Sequence, residues 1–294
     1  MKNQKAEGFA PGHISVFFAP YYHKNLPRTG SYGAGICITS GCTAEVVVEK
    51  TDSVEILTML DGKARKLEVT EEAIRLLLKD ANLQMKVVCN LKHMLPVSQG
   101  FGMSASGTLS ALLALCKIIR MPASTAFQVA HKAEVLHRTG LGDVAGISAG
   151  GYEIRVKPGL PPYGIVDRIV CGEKENTLLL CVLGGTLETK KVLSDKKAVE
   201  LCSIMGRKTL AKLLKEPTVK NLCLCGFEFA KSTGLASPEI VKCVESLWNA
   251  GIPASMVMLG NSVFAVVSGS KKRIAEEILQ SYGKVFCTKV WHPL

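Results

Sequence analysis

The sequence predicts an α+β fold of two domains, residues 1–157 and 158–294. In the first half, short stretches alternate apolar and polar residues as strands do, and the apolar spacing then becomes helical. The second half alternates strand-like and helix-like stretches. The densest run of proline and glycine, KPGLPPYG at 157–164, lies between the halves, and we place the domain boundary there.

The first domain is predicted to hold the strands 12–19, 34–48, 54–60, 85–91 and 151–157. Helices are predicted over 71–80, over 104–119, and from residue 124 or 125 to Gly140. The helix 104–119 carries apolar residues at helical spacing, namely Leu109, Leu112, Leu113 and Cys116. In the next helix, Thr125–Gln128 fits a capping box and Gly140 fits a C-cap.

The second domain is predicted to alternate strands with helices. Its strands are predicted over 177–183, 254–259, 262–268 and 284–290. Its helices are predicted over 194–215, 219–232, 237–250 and 271–282. Split β-α-β patterns of this kind indicate an α+β sandwich similar to ferredoxin-like folds.

Composition and charge limit the possible classes of function. The chain has 47% hydrophobic and 21% charged residues and lacks an apolar run near the ~18 residues of a membrane span. The first residues lack the apolar core of a signal peptide, so we expect a cytoplasmic protein whose 11 cysteines are reduced. The net charge of +11 is typical either of a solvated basic surface or of a protein that attracts anionic ligands such as ATP and carboxylates, and the charge alone does not decide between them. Nucleic acid is less favoured, because the basic residues are scattered and aromatic residues make up only 6%.

The strongest functional motif is the segment 96–106, PVSQGFGMSAS, between a predicted strand and a predicted helix. Gly100 and Gly102 allow a tight bend and close approach to a ligand, and a helix that begins near Ser104 offers free N–H groups. Together they would form a phosphate cradle. An ordinary glycine-rich turn is the alternative. A Rossmann dehydrogenase would need an acidic residue ~20 positions further on, where this chain has a helix followed by Arg120 and Met121.

Two carboxylates add to this motif. Asp143 lies in the glycine-rich run TGLGD, either as a functional acid or as the N-cap of a short helix over 144–148. Glu134 lies at the edge of the apolar face of its helix, where a carboxylate needs a partner such as Mg²⁺ or an arginine. A solvent-exposed Glu134 is the alternative.

Three segments, in this order along the chain, resemble the GHMP kinase superfamily. They are APGHI at 10–14, the segment 96–106 and MLGNS at 258–262. Within that superfamily the chain is most similar to the archaeal pantoate kinases, through APGHISVFF, GSYGAGICI, AEVLHRTGLGDVAGISAGG and MLGNSVFAV. The resemblance implies a ribosomal-protein-like N-terminal domain and a ferredoxin-like C-terminal domain. It also implies a kinase of coenzyme A synthesis that converts pantoate to 4-phosphopantoate with ATP and Mg²⁺.

The resemblance further implies roles for individual residues. Ser104 and Glu134 would bind Mg²⁺, and Asp143 would polarise the acceptor hydroxyl. The residues implied to bind ATP are Pro96, Gly100, Gly102, Met103, Ser104, Ala105 and Ser106. Those implied to bind the substrate are His13, Ser31, His131 and Arg155. The chain departs from the superfamily at His13, where many members have Lys or Arg, and at Met103, which replaces the first of two serines.

Other interpretations stay open from the residues themselves. His13 fits a core histidine, while His131 and Arg155 fit surface positions. Another GHMP-type kinase, acting on mevalonate, homoserine or a sugar, is the alternative enzyme. A nucleic-acid binder would show steeply salt-dependent affinity for RNA. Related kinases are commonly homodimers, and the sequence neither favours nor opposes a homodimer here.

Overall fold

The computed structural model describes residues 4–172, 177–185 and 195–293. Within these residues the strands are β1 (Gln4–Tyr21), β2 (Gly30–Lys50), β3 (Glu55–Leu60), β4 (Lys63–Ala64), β5 (Met85–His93), β6 (Tyr152–Lys157), β7 (Ile165–Ile169), β8 (Thr177–Val182), β9 (Ala254–Val257), β10 (Ser262–Val267) and β11 (Lys284–Lys289). The α-helices are α1 (Glu68–Asp80), α2 (Met103–Ile119), α3 (Ala123–His137), α4 (Asp143–Ala149), α5 (Lys196–Lys215), α6 (Val219–Ser232), α7 (Pro238–Asn249) and α8 (Lys271–Gln280).

The strands form two sheets, which confirms the α+β class. The first sheet has the order β4-β3-β5-β2-β6-β7, and β1 pairs with β2 outside that path. Its pairs are antiparallel except for the parallel pair of β3 and β5. The second sheet is antiparallel, with the order β11-β8-β10-β9. Both long strands β1 and β2 run through the site described below.

Two hydrophobic cores hold these layers together. One core packs α1, α2 and α3 against the first sheet, for example through Leu77, Leu112 and Val129. The other joins β1 to the helices and sheet of the second half, because Phe229 of α6 packs edge-on against Phe18 of β1 with ring centroids 5.7 Å apart. Apolar burial of this kind stabilises the fold by roughly 25 cal/mol per Å².

Most elements lie where the sequence predicts them, but two predicted helix caps are wrong and two short strands were not predicted. The capping box at Thr125–Gln128 is wrong, since α3 begins at Ala123 after Pro122 without a side-chain cap. The C-cap at Gly140 is also wrong, because Arg138 takes the left-handed conformation with φ 55° and ends α3 earlier. The short strands β4 and β7 were not predicted from sequence.

The boundary after residue 157 stays a prediction, although β7 lies beyond it and still pairs with β6 in the first sheet.

The predicted helix 194–215 begins at Lys196, and residue 194 lies outside the described residues. In the described part of the chain, every helix is too short or too polar to cross a bilayer.

Candidate active site

The segment of residues 96–106, here called the glycine loop, joins β5 to α2 with a strongly bent backbone. Ser98, Gly100 and Gly102 all have positive φ, at 60°, 81° and 67°. A β-carbon on Gly102 would lie 2.8 Å from the carbonyl oxygen of His13, so that a side chain there would be both strained and crowded. The two glycines are therefore required by the path of the loop and by its close packing on β1.

The N-terminus of α2 is open towards ligands. Helices α6 and α7 are capped by the side chains of Thr218 and Ser237, whereas α2 follows Gly102 and has no side-chain cap. Its first N–H groups and the positive end of its dipole thus face outwards, which favours a bound anion. Ser104 is exposed on this first turn. The buried Ser106 hydroxyl instead donates to the carbonyl oxygen of Ala10 at 2.7 Å and ties the loop to β1.

A cavity of about 600 Å³ opens over the glycine loop. Six of the seven predicted ATP-binding residues line it, namely Pro96, Gly100, Gly102, Met103, Ser104 and Ala105. Ser31 and Asp143 also line it, and Met258 and Leu259 of the C-terminal motif contribute as well. Apolar residues line a further part of the wall, including Leu60, Leu67, Val69, Leu91 and Val97. The glycine loop and the C-terminal motif thus meet at this cavity, and the segment 10–14 packs against the loop, where the N–H of His13 donates to the carbonyl oxygen of Phe101 at 3.1 Å.

Two acidic side chains approach each other beside the cavity. A β-carbon on Gly140 would lie 2.9 Å from Glu134 Oε1 and 3.1 Å from Asp143 Oδ2, so both carboxylates flank this glycine. Glu134 is 1% exposed, and its Oε2 atom has no hydrogen-bond partner among the described residues. Burial, together with the negative charge of Asp143, raises the pKa of Glu134 well above its usual value. An unpaired buried carboxylate beside a second one is a position that a cation would stabilise.

Asp143 belongs to a group of four charged side chains that extends behind the cavity wall. The group consists of His13, Asp143, Glu153 and Arg155 and is here called the buried charge cluster. His13 Nδ1 is 2.7 Å from Asp143 Oδ1, and His13 Nε2 is 3.0 Å from Glu153 Oε1. Arg155 Nη1 also donates to Glu153 Oε1. His13, Glu153 and Arg155 are at most 1% exposed. Sequence analysis did not find Glu153, although it precedes Arg155 by two residues and so shares one face of β6.

The protonation of His13 follows from this surrounding. Burial lowers the pKa of His13, but the hydrogen bonds with Asp143 and Glu153 outweigh it and the net pKa is raised. Both ring nitrogens face carboxylate oxygens, which only accept hydrogen bonds when ionised. His13 therefore donates twice as an imidazolium and has no ring nitrogen left for a substrate. It lies behind the cavity wall rather than on it, and its role in substrate binding stays a prediction.

Arg155 and Ser31 meet at Gly142. A β-carbon on Gly142 would lie 2.6 Å from Ser31 Oγ and 2.7 Å from Arg155 Nε. The Nε and Nη2 atoms of Arg155 are buried and have no hydrogen-bond partner among the described residues. Ser31 and Gly142 line the cavity, while Arg155 lies immediately behind Gly142. The exposed alternative for Arg155 is thereby wrong, since the side chain is 1% exposed.

His131 is also buried, at 2% exposed, but it differs from His13 in its partners. Its Nε2 atom donates to the carbonyl oxygen of Thr29 at 2.9 Å. Burial lowers the pKa of His131, although backbone contacts with Thr29 and Leu26 oppose this shift. The surface position considered for His131 is therefore wrong. His131 binds the backbone at Thr29, just before β2, and Ser31 lies at the start of that strand. His131 does not itself line the cavity.

Known kinases are similar to this chain in sequence. Residues 68–151 match the family described as the GHMP kinases N terminal domain. A pantoate kinase of Thermococcus kodakarensis is 36% identical over 278 residues, which cover 92% of this chain and 90% of that relative. A pantoate kinase of Methanospirillum hungatei is 32% identical, over 97% of this chain and 94% of the relative.

A solved structure described as a phosphotransferase related to the CoA biosynthesis pathway is similar throughout. It superposes with a TM-score of 0.88 and 31% identity, covering 99% of this chain and 97% of that one. Similarity at this level extends over both predicted domains and confirms the GHMP kinase-like fold. Sequence identity, coverage and fold together show that the chain belongs to the pantoate kinase family of the GHMP kinases.

Proposed function

We propose that this protein transfers the γ-phosphoryl group of ATP to the primary hydroxyl of pantoate and forms 4-phosphopantoate. The observation that carries the proposal is that an uncapped helix N-terminus and an acid line the same cavity. Ser104 and other residues of the glycine loop line that cavity together with Asp143. Membership in the pantoate kinase family supports pantoate as the acceptor rather than mevalonate, homoserine or a sugar.

The glycine loop would hold the triphosphate of ATP. Its backbone N–H groups at the start of α2 suit phosphate oxygens in both geometry and charge. Gly100 and Gly102 let the backbone approach the phosphates without a side chain between them. The apolar wall near Leu67, Val69 and Val97 would accept the adenine base, because it offers a dry surface next to the loop.

Ser104 and Glu134 fit a magnesium site. The free Oε2 atom of Glu134 is a buried oxygen that needs a cation, and the Ser104 hydroxyl is exposed towards the cavity. Among the described residues there is no group of three or more His, Cys, Asp or Glu side chains that could hold a metal. Mg²⁺ is commonly held by one or two protein oxygens together with phosphates and water, and Ser104 and Glu134 would supply two such oxygens. When bound, Mg²⁺ would neutralise charge on the transferring phosphate.

Asp143 would accept the proton of the acceptor hydroxyl. Its carboxylate is 24% exposed on the cavity wall, and its Oδ1 atom is fixed by His13. The second oxygen, Oδ2, remains directed towards Gly140 and Glu134. Positioning and charge stabilisation supply most of the acceleration in phosphoryl transfer, and a positioned base adds roughly 10²–10⁴ in rate.

Ser31 and Arg155 would recognise the carboxylate of pantoate. The unpaired Nε and Nη2 donors of Arg155 need an acceptor, and guanidinium groups bind carboxylates through two parallel hydrogen bonds. Because Gly142 lies between Arg155 and the cavity, this recognition requires a shift of the backbone around Gly142 or contact through Ser31.

A coupled assay of ADP release tests the proposal. The purified protein is given ATP, Mg²⁺ and, in separate reactions, pantoate, mevalonate or homoserine. We expect turnover with pantoate that exceeds turnover without an acceptor and with the other two alcohols. Preference for mevalonate or homoserine, or release of ADP that does not depend on pantoate, would reject the proposal.

A further inference from the structure

Glu153 has no role in the function proposed above, yet it occupies the centre of the buried charge cluster. The side chain is 0% exposed. A single oxygen, Oε1, accepts hydrogen bonds from His13 and from Arg155. One carboxylate thus connects the residue that holds Asp143 with the residue proposed to recognise the substrate carboxylate.

The surrounding chain leaves room for this arrangement. Glycines stand on β2, in the turn before α4 and within α4, wherever a side chain would displace a member of the cluster. A β-carbon on Gly35 would lie 2.5 Å from Glu153 Oε1, one on Gly142 would lie 2.7 Å from Arg155 Nε, and one on Gly146 would lie 2.8 Å from His13 Cδ2. Three separate elements of the chain therefore accommodate the same cluster.

The cluster is balanced in charge. His13 and Arg155 provide two positive charges, and Asp143 and Glu153 provide two negative charges when both carboxylates are ionised. Without the charge of Glu153, the buried Arg155 would lose its ion pair and His13 would keep only Asp143. Removal of one member of a buried pair leaves an uncompensated charge, which is costly.

We propose that Glu153 is a positioning residue for phosphoryl transfer, which orients Asp143 through His13 and fixes Arg155 at the same time. The inference rests on the proposed function, because it concerns the position of the proposed base. Glu153 itself does not touch the substrate, since it lies behind the cavity wall. It acts through the geometry and protonation of its two neighbours.

Protonation of His13 gives a readout that a purely structural role would not change. The ionisable groups around the ring are Asp143 from α4, Glu153 and Arg155 from β6, Cys37 from β2, and Glu134 from α3 near Asp143. Burial raises the pKa of the Cys37 thiol well above its usual value, so that this group stays neutral beside the cluster. Since the hydrogen bond with Glu153 raises the pKa of His13, loss of that charge should lower it.

The experiment compares Glu153→Gln, which removes the charge but keeps the shape, with Glu153→Asp, which keeps the charge. Glu45→Gln, at the exposed ion pair with Lys5, is the matched control. For each protein, NMR titration of ¹³C-labelled histidine gives the pKa of His13. The His13 signal is assigned by its absence from the spectrum of the His13→Asn variant. Steady-state kinetics give kcat and the two KM values. We expect Glu153→Gln to titrate His13 at lower pH and to lose about 10–100-fold in kcat, with KM for ATP nearly unchanged.

We further expect Glu153→Asp to keep the raised His13 titration and to recover part of kcat. A folded Glu153→Gln that matches Glu45→Gln in both the His13 titration and kcat would overturn the inference. If Glu153→Gln fails to fold, the titration of His13 in the wild-type protein tests the inference instead. A wild-type His13 that titrates at or below its ordinary pKa would overturn the positioning role of Glu153. A wild-type protein that does not phosphorylate pantoate would instead reject the proposed function, while the titration would still report on the cluster.

Discussion

The glycine loop lines the cavity, whereas the buried charge cluster lies behind its wall and reaches it only through Asp143, and the two are built in different ways. The glycine loop offers backbone N–H groups on an open helix N-terminus, and its residues are contiguous in sequence. The buried charge cluster offers side chains, and its members come from β1, α4 and β6, up to 142 positions apart between His13 and Arg155 (155 − 13 = 142). A site made from backbone can therefore be recognised as a local motif, whereas a site made from distant side chains depends on the fold.

The largest expected effect comes from Asp143, the member of the buried charge cluster that lines the cavity. Asp143→Asn removes the proposed proton acceptor but keeps the volume of the side chain. We expect turnover to fall by roughly 10²–10⁴, as is usual for loss of general-base help, while ATP affinity changes little. Steady-state kinetics and nucleotide binding by calorimetry measure the two quantities, with the exposed Asp167→Asn on β7 as the control. Unchanged turnover in Asp143→Asn would contradict the assigned role.

A second test addresses the glycine loop alone. Gly102→Ala places a β-carbon 2.8 Å from the His13 carbonyl oxygen at a φ of 67°, which costs of order 1–3 kcal/mol in backbone strain. We expect kcat/KM for ATP to fall on the order of 10–100-fold, because the first N–H groups of α2 are displaced.

Gly172→Ala is the control for this change, since a β-carbon on Gly172 meets nothing within 4 Å. Equal kinetics for Gly102→Ala and Gly172→Ala would show that the loop does not need its bend.

The same contrast explains how much the sequence could predict. The strands, helices and glycine loop follow from local patterns, so nearly all were placed correctly. The pairing of His13 with Asp143 and Glu153 could not be predicted, because it depends on the packing of β1 against α4 and β6. The glycines of GSYGAG and GLGDVAG were visible, but their purpose, which is to leave space for buried charges, requires the coordinates. The end of α3 was misplaced because Arg138 adopts a conformation that glycine usually takes.

A third test separates substrate recognition from the chemical step. Arg155→Lys keeps the positive charge for Glu153 but removes the planar pair of donors. We expect KM for pantoate to rise by about tenfold, because a charge-assisted hydrogen bond is worth about 1.5–3 kcal/mol. KM for ATP should change little, because the proposed ATP site is the glycine loop and not Arg155. The exposed Arg207→Lys on α5 is the control. An effect confined to ATP would contradict recognition of pantoate by Arg155.

A fourth test examines the proposed magnesium site at Ser104 and Glu134. In Glu134→Gln, we expect the Mg²⁺ concentration for half-maximal activity to rise by about tenfold, as is common when a metal site is perturbed. The free energy of unfolding in chelator should increase by on the order of 1 kcal/mol, since a buried amide costs less than a buried unpaired carboxylate. The exposed Glu245→Gln on α7 serves as the control. A Glu134→Gln protein that is less stable and has an unaltered metal titration would contradict both expectations.

The smallest expected effect is the pH dependence that His13 gives to stability. Because the folded pKa of His13 is raised above its ordinary value of 6.5, protonation stabilises the fold. That stabilisation is complete below the unfolded pKa and is lost as pH rises through the folded pKa, at about 1.4 kcal/mol per unit of pKa difference. Urea unfolding between about pH 6 and about pH 8 measures the loss. Comparison with Glu153→Gln isolates His13, since Glu134 and the cysteines are common to both proteins. The variant should lose less stability over this range, and an equal or larger loss would show that the buried charge cluster does not hold His13 protonated.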